Sequence, residues 1–319
     1  MRGSRLLAVG TFVAIVALSC FADYPEKPVR LVAPFVAGGL GDTSIRLIAE
    51  RLSRSLGQPF VIDAKPGADG QIAAMEVRRA SPDGYTLLVG ETTSLSMVPA
   101  VRKDPPYDVL ADFTPISHIG AGAFFLAIHP RVPAQTLGQF IAHARANPGT
   151  LAFASSNAPS LLATVHFMRH AQVEMLHVPY RGEPPAMPDL LSGRVQVMIA
   201  TPFLITQPVR EGKLRLLAAA APQRSQLYPD VPTLRELGYP EPPLISWVGL
   251  FGPAKLPAPI TAWLSAELNA ALALQALRNE LERRGVVPRS SSPDELREIV
   301  KTQLDFWRTA VRERWIPRE

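Results

Sequence analysis

The sequence predicts an α/β protein of two lobes joined by two crossings of the chain, with a ligand crevice at the C-terminal ends of the strands. Three observations carry that expectation. Residues 29–52, VRLVAPFVAGGLGDTSIRLIAERL, read as a buried strand, a glycine-rich turn and a helix. Short apolar runs then alternate with helix-spaced ones in two series, the first ending near His129-Pro130. Past Pro229-Asp230-Val231-Pro232-Thr233 the pattern changes to one strand and three helices, read as returning to the first lobe. The expected boundaries are 1–22 for an export signal, 23–124 with 225–319 for the first lobe, and 125–224 for the second.

Each element has its own reason. Residues 29–34 form a short apolar run closed by turn residues, as a buried strand does. Beyond the turn at 37–41, Ile45, Ile48, Ala49 and Leu52 share one helix face, and Asp42 or Thr43 is placed to cap its start. A strand that hands over to a helix through glycines leaves backbone N–H groups bare at the helix N-terminus, where the helix dipole attracts anions. Strands follow at 60–62 and 85–89, separated by a turn at 65–70, a helix at 71–80 and a turn at 81–84. The second of these opens onto Glu91-Thr92-Thr93-Ser94, and 113–120 and 123–129 add two more strands. The next series has helices at 137–146, 159–170, 187–191 and 203–211, and strands at 151–154, 175–178, 195–199 and 214–219. A strand at 246–251 and helices at 259–273, 275–284 and 293–314 complete the chain. Alternation of this kind argues for parallel sheets.

The first residues predict export. Arg2 and Arg5 precede an apolar run at 6–18 of signal-peptide length, and Cys20-Phe21-Ala22 predicts cleavage before Asp23. A lipoprotein acylated at Cys20 is the competing reading, with its large aliphatic residue one position late. Cys20 is the only cysteine, so a mature chain has no disulfide, thiolate metal site or cysteine nucleophile. The net charge of +5 falls to +3 without Arg2 and Arg5, too mild and too evenly spread for nucleic acid.

Catalytic signatures are missing: no G-x-S-x-G elbow, no H-E-x-x-H and no full P-loop. His166 and His170 are four apart on a predicted helix but have no assignable third ligand, so packing is the expected role and no metal is expected. Gly39-x-Gly41-x-x-Ser44, with Asp63 ending the next strand, is the outline of a dinucleotide site. Ser44 replaces the third small residue, and an exported protein meets few soluble nicotinamide cofactors. An extracytoplasmic dehydrogenase is therefore the runner-up, and no cofactor is expected.

Several stretches in order resemble one family, the Bug-type solute receptors of tripartite tricarboxylate transporters. They are Tyr24-Pro25-Glu26-Lys27-Pro28, Val32-Ala33-Pro34-Phe35-Val36-Ala37-Gly38-Gly39 with Asp42 and Arg46, Lys65-Pro66-Gly67-Ala68-Asp69-Gly70, and Ser81-Pro82-Asp83-Gly84-Tyr85. Asp112-Phe113-Thr114-Pro115-Ile116, His177-Val178-Pro179-Tyr180-Arg181-Gly182, Asp189-Leu190-Leu191-Ser192-Gly193 and Pro229-Asp230-Val231-Pro232-Thr233 continue the match. The resemblance implies a periplasmic binding protein of the Venus-flytrap type. Such a receptor is monomeric and non-catalytic, closes on a small organic carboxylate, and delivers it to transporter membrane subunits. A co-sensor for a membrane signalling protein would use the same crevice. By position, the implied first-lobe contacts are Phe35, Ala37, Gly38, Gly39, Asp42, Lys65, Gly67, Ala68, Thr92 and Thr93. Those of the second lobe are Ser155, Ser156, Asn157, Ser160, Tyr180, Arg181 and Thr201.

Three departures from the family pattern bear on the ligand. Where the family has S-S-G-x-G-[ST]-x-x-H, this chain has Ser155-Ser156-Asn157-Ala158-Pro159-Ser160-Leu161-Leu162-Ala163. Lys65 replaces an arginine, keeping the charge and losing the planar fork. Ala200 stands where many members have an acid. A wall of Pro159, Leu161 and Leu162 with no acid at 200 favours a carboxylic acid without an amine.

Overall fold

The computed structural model describes residues 24–122, 124–221, 223–240 and 246–314. The expected signal segment, the cleavage before Asp23 and Cys20 lie outside the described residues. Among those described, no helix is long and apolar enough to cross a membrane.

The first series runs β1 (Val29–Ala33), α1 (Leu40–Leu56), β2 (Phe60–Ala64), α2 (Gln71–Arg78), β3 (Thr86–Glu91), a π-helical turn (Thr93–Met97), α3 (Val98–Val101), α4 (Val109–Asp112) and β4 (Phe113–Gly122). The second runs β5 (Phe124–Ile128), α5 (Leu137–Ala146), β6 (Ala152–Ser155), α6 (Ala158–Ala171), β7 (Leu176–Pro179), α7 (Glu183–Ser192), β8 (Val197–Ala200), α8 (Pro202–Arg210) and β9 (Arg215–Ala220). The chain ends with β10 (Trp247–Pro253), α9 (Ala258–Ala273), α10 (Gln275–Arg283), β11 (Val286–Pro288) and α11 (Pro293–Arg312).

Two sheets result, ordered β11-β4-β10-β3-β1-β2 and β7-β6-β8-β5-β9. Period-two alternation puts apolar side chains on both faces of each. In the first sheet Leu31, Leu87 and Leu250 pack under α1, α9 and α10. Val32, Leu88 and Phe251 pack under α2 and α11 on the opposite face. In the second, Leu126, Phe153 and Ile199 meet α5 and α6, while Phe125, Met198 and Ala200 meet α7 and α8. Each lobe is thus a three-layer unit with its own core.

The sheets are mixed, which corrects the expectation of parallel ones. β1 is parallel to β2 and β3, and β6 to β7 and β8. β10 runs antiparallel to β3 and β4, and β5 antiparallel to β8 and β9. The crossings explain this. One residue separates the end of β4 from the start of β5, so both lie at the lobe boundary. A strand that enters a lobe from that boundary without a crossover helix must run away from it, against its neighbours. Trp247, where β10 begins, pairs with Ala121 at the end of β4. Phe125 in β5 pairs with Ala200 at the end of β8. The C-terminal ends of β1, β2 and β3 therefore face the same boundary as those of β6, β7 and β8.

Local chemistry shifts several ends. Gly39, not Asp42 or Thr43, is the N-cap of α1, because the helix already begins at Leu40. The Asp42 side chain instead reaches back to the Gly38 N–H. α7 extends to Glu183 because Pro184 and Pro185 fall in its first turn, where a missing N–H costs nothing. The stretch expected to lie open after β3 is the π-helical turn, since the Glu91 carboxylate accepts from the Thr93 and Ser94 N–H groups.

The lobes also meet through side chains. Leu162 of α6 is buried with Val101, Trp307 and Ala310 of the first lobe, and the His166 ring lies edge-on to Phe306. Leu162→Ala should cost about 2–4 kcal/mol, read as a lower urea midpoint with an unchanged slope. An unchanged midpoint would show that this seam does not hold the lobes together.

Candidate ligand-binding cleft

Three strand-end loops of the first lobe converge. A β-carbon at Gly70 would lie 2.7 Å from Ser94 Cβ, 3.2 Å from Pro34 Cβ and 3.4 Å from Glu91 Oε1, so the loops after β1, β2 and β3 touch there. In the loop after β1, Gly38 has φ +78°, the left-handed region that glycine adopts without cost. A β-carbon at Gly41 would come within 2.6 Å of the Phe35 ring, so glycine lets that ring lie over the helix start. Asp42 is 3 % exposed. Its Oδ2 accepts from the Gly38 N–H at 2.9 Å and from Arg46 Nε at 3.0 Å. Burial alone would raise this carboxyl, but the Arg46 and Gly38 hydrogen bonds outweigh it and hold it below the ordinary range. The protein's own carboxylate thus takes one of the amides that the sequence offers to a ligand. The first-turn N–H groups of Leu40 and Gly41 keep the orientation of helix donors without an intrahelical partner.

Lys65 is not a free clamp. Its Nζ lies 3.7 Å from both Asp63 and Glu76, and Arg30 bridges the same two acids. This cluster also occupies the acid that a dinucleotide site would need at Asp63. Beyond it, Gly67 (φ +118°), Ala68 (φ 46°) and Asp69 (φ 54°) turn the chain through the left-handed region. The two non-glycine residues store backbone strain at a loop facing the boundary. Thr92 is buried, and its Oγ1 accepts from the Trp247 N–H at 2.9 Å, which ties β3 to β10. Thr93 is half-buried and donates its N–H to Glu91 Oε2. Burial outweighs the Thr93 and Ser94 hydrogen bonds and raises the Glu91 carboxyl.

The second lobe is stitched the same way. Ser155, Ser156 and Ser160 are buried. Ser155 Oγ and His177 Nε2 are 2.7 Å apart, and burial lowers the His177 pKa. Asn157 caps α6 by accepting from the Ser160 N–H, while Ser160 Oγ accepts from the Asn157 N–H. Tyr180 and Gly182 donate their N–H groups to the Ser155 and Ser156 carbonyls. The Tyr180 hydroxyl turns away to Asp189 Oδ2 at 2.7 Å. Arg181 is exposed and has no ion-pair partner among the described residues.

Leu161 and Leu162 do not form the expected wall. Leu161 packs on the core of the second sheet, and Leu162 belongs to the lobe seam. The His166 and His170 rings sit 4.3 Å apart, and no metal-binding group of three is present among the described residues. A groove along α9, lined by Thr114, Leu256, Ala262 and Asn269 among others, lies beside the start of β4, at the end of that strand opposite the lobe boundary.

Glu183 escaped the sequence reading. It opens α7, and its two carboxyl oxygens accept from Thr201 N (2.8 Å) and Thr201 Oγ1 (2.6 Å) at the end of β8. Burial lifts its pKa to about 7 against those two bonds, which lower it. The available signal was an acid directly after Gly182 combined with the missing acid at Ala200.

The family model described as the tripartite tricarboxylate transporter family receptor matches residues 44–315. The protein BugT of Bordetella pertussis is 34% identical over 324 residues, covering 98% of each chain. An R. palustris protein solved with adipate superposes with a TM-score of 0.83 at 31% identity, covering 91% of this chain and 98% of that one. MatC from Rhodopseudomonas palustris, solved with bound malate, gives 0.77 at 32% identity over 90% of this chain and 100% of that one. A two-lobed α/β chain matched along most of its length in this way belongs to the tripartite tricarboxylate transporter receptor family.

Proposed function

We propose that this protein is a periplasmic receptor that closes on a small organic carboxylate and delivers it to the membrane subunits of a tripartite transporter, working as a monomer and without a chemical step. Residues 23–124 with 225–319 would form one lobe and 125–224 the other. The observation that carries the reading is the convergence of six strand-end loops on the one boundary between the lobes. An anion there would meet the Leu40 and Gly41 amides from one side and Arg181 from the other. Adipate and malate in the related structures support the ligand class. A thermal-shift panel of mono-, di- and tricarboxylates tests it, because a ligand bound only by the native state must raise the midpoint. At least one carboxylate should do so, and a flat response across the panel would contradict the reading.

The four acids in these loops are each committed: Asp42 to Gly38 and Arg46, Asp69 to Arg102, Glu91 to Thr93 and Ser94, Glu183 to Thr201. An ammonium group closed into this cleft would lose its hydration without gaining a free carboxylate. The ligand is therefore an acid without an amine. Calorimetry should show tighter binding of a simple carboxylic acid than of its α-amino counterpart, and the reverse order would contradict this.

The turn after β1 gives a sharper test. Gly39 has φ −74°, open to any residue, yet its β-carbon would lie 3.3 Å from the Val36 carbonyl. Gly39→Val should crowd the turn and weaken carboxylate binding about fivefold to tenfold, on the order of 1 kcal/mol, with the thermal midpoint of the free protein nearly unchanged. Normal affinity in the variant would remove this turn from the site.

A further inference from the structure

The family resemblance leaves Ala200, at the end of β8, where an acid is common. In the structure a carboxyl reaches that strand end from a different element. Glu183, the first residue of α7, receives hydrogen bonds on both oxygens from Thr201, the residue after Ala200. It follows Arg181 and Gly182 in the loop after β7, and Gly182 is bonded to Ser156 in the loop after β6. Pro202, the next residue on, abuts Gly285 of the first lobe, where a β-carbon would lie 2.7 Å from its ring. One carboxyl therefore ties together the second-lobe loops at the lobe boundary.

We propose that Glu183 is a positioning residue that couples capture of an anionic ligand to uptake of one proton, resting on the receptor reading above. Uncharged, its carboxyl holds the Thr201 and Arg181 loops in place and adds no negative charge to the wall. Ionised, it accepts from both Thr201 donors and repels an incoming carboxylate, whereas uncharged it keeps the Thr201 N–H bond and turns its own O–H to the Thr201 hydroxyl oxygen. When the anion enters, the proton passes from solvent to a Glu183 oxygen, and no other bond forms or breaks.

Burial sets this carboxyl to titrate near neutrality, and no charged neighbour contributes to that shift. β6 and β8, packed beside α7, carry no titratable group. His177 on β7 is bonded to Ser155, Asp189 further along α7 is held by Tyr180 and Arg194, and Arg210 lies at the far end of α8. Arg284, beside Gly285, is paired with Glu280. Arg181 is the exposed cation in the loop that precedes α7.

Two measurements test the proposal, on the wild type, on Glu183→Gln and on Thr201→Val. Without ligand, a group whose folded pKa is raised from 4.5 to about 7 makes the native state lose stability as pH rises through that window. The wild-type thermal midpoint should fall between pH 5 and pH 8 by several degrees more than that of Glu183→Gln. An equal fall in both would show that Glu183 does not titrate there. With the carboxylate panel, adipate and malate included, wild-type affinity at pH 8 should be roughly threefold or more below that at pH 6. Glu183→Gln should bind equally at both values. Thr201→Val, which removes one bond favouring the ionised form, should move the drop to higher pH. A carboxylate that binds with the same pH dependence in wild type and Glu183→Gln overturns the proposal and leaves the receptor reading standing. If no carboxylate binds at either pH, the receptor reading fails and the proposal fails with it.

Discussion

The passage of the chain between its two sheets constrains everything else in this protein. With one residue between β4 and β5, the end of one sheet and the start of the next share a place. A strand leaving that place runs against its neighbours, which forces β5 and β10 to be antiparallel insertions among parallel strands. The parallel strands β1, β2, β3, β6, β7 and β8 then point their C-terminal ends at the crossing, while the edge strand β11 runs antiparallel to β4 and away from it. Six loops that would lie on separate molecules if the lobes were separate are brought to one boundary. The cleft is a consequence of connectivity before it is a matter of side chains.

Side chains then decide how much of that boundary is left for a ligand. Loops at strand ends expose amides, and bare amides at helix starts attract any anion. This chain meets part of that demand internally. Asp42, Glu91 and Glu183 each place a carboxylate on the N–H groups of its own or a neighbouring loop. Such contacts fix loop shape without a bound ligand, so less ordering remains to be done when one arrives. They also lower the number of open donors, which under the proposed function leaves the first turn of α1 and Arg181 to receive an anion.

Much of the fold was legible in the sequence because apolar spacing is local information. The periodicity at Ile45, Ile48, Ala49 and Leu52 gives the buried face of α1, and most predicted helices and strands fall within a few residues of their observed ends. What escaped the sequence depended on contacts distant along the chain. The directions of β5 and β10 follow from which strands they sit between. The π-helical turn needs Glu91 and the Tyr107 hydroxyl, which donates to the Ser94 carbonyl. The motifs pointed to loops that the fold sets at strand ends, but not to which groups within them are engaged. Lys65 looked like a free cation until Asp63 and Glu76 were brought beside it. Thr92 and Tyr180 lay in the expected loops, and each makes its hydrogen bond within its own lobe. Glu183 was missed because its partner, Thr201, lies eighteen residues away on another strand end.

The proposed function rests on an anion being received at the lobe boundary where these strands end. Amide NMR of the labelled protein, titrated with a stabilising carboxylate, measures this directly. The largest shifts should fall on the Leu40 and Gly41 amides, with smaller ones in the loops at residues 155–158 and 180–183. Shifts confined to the groove along α9, with the strand-end loops unmoved, would contradict it.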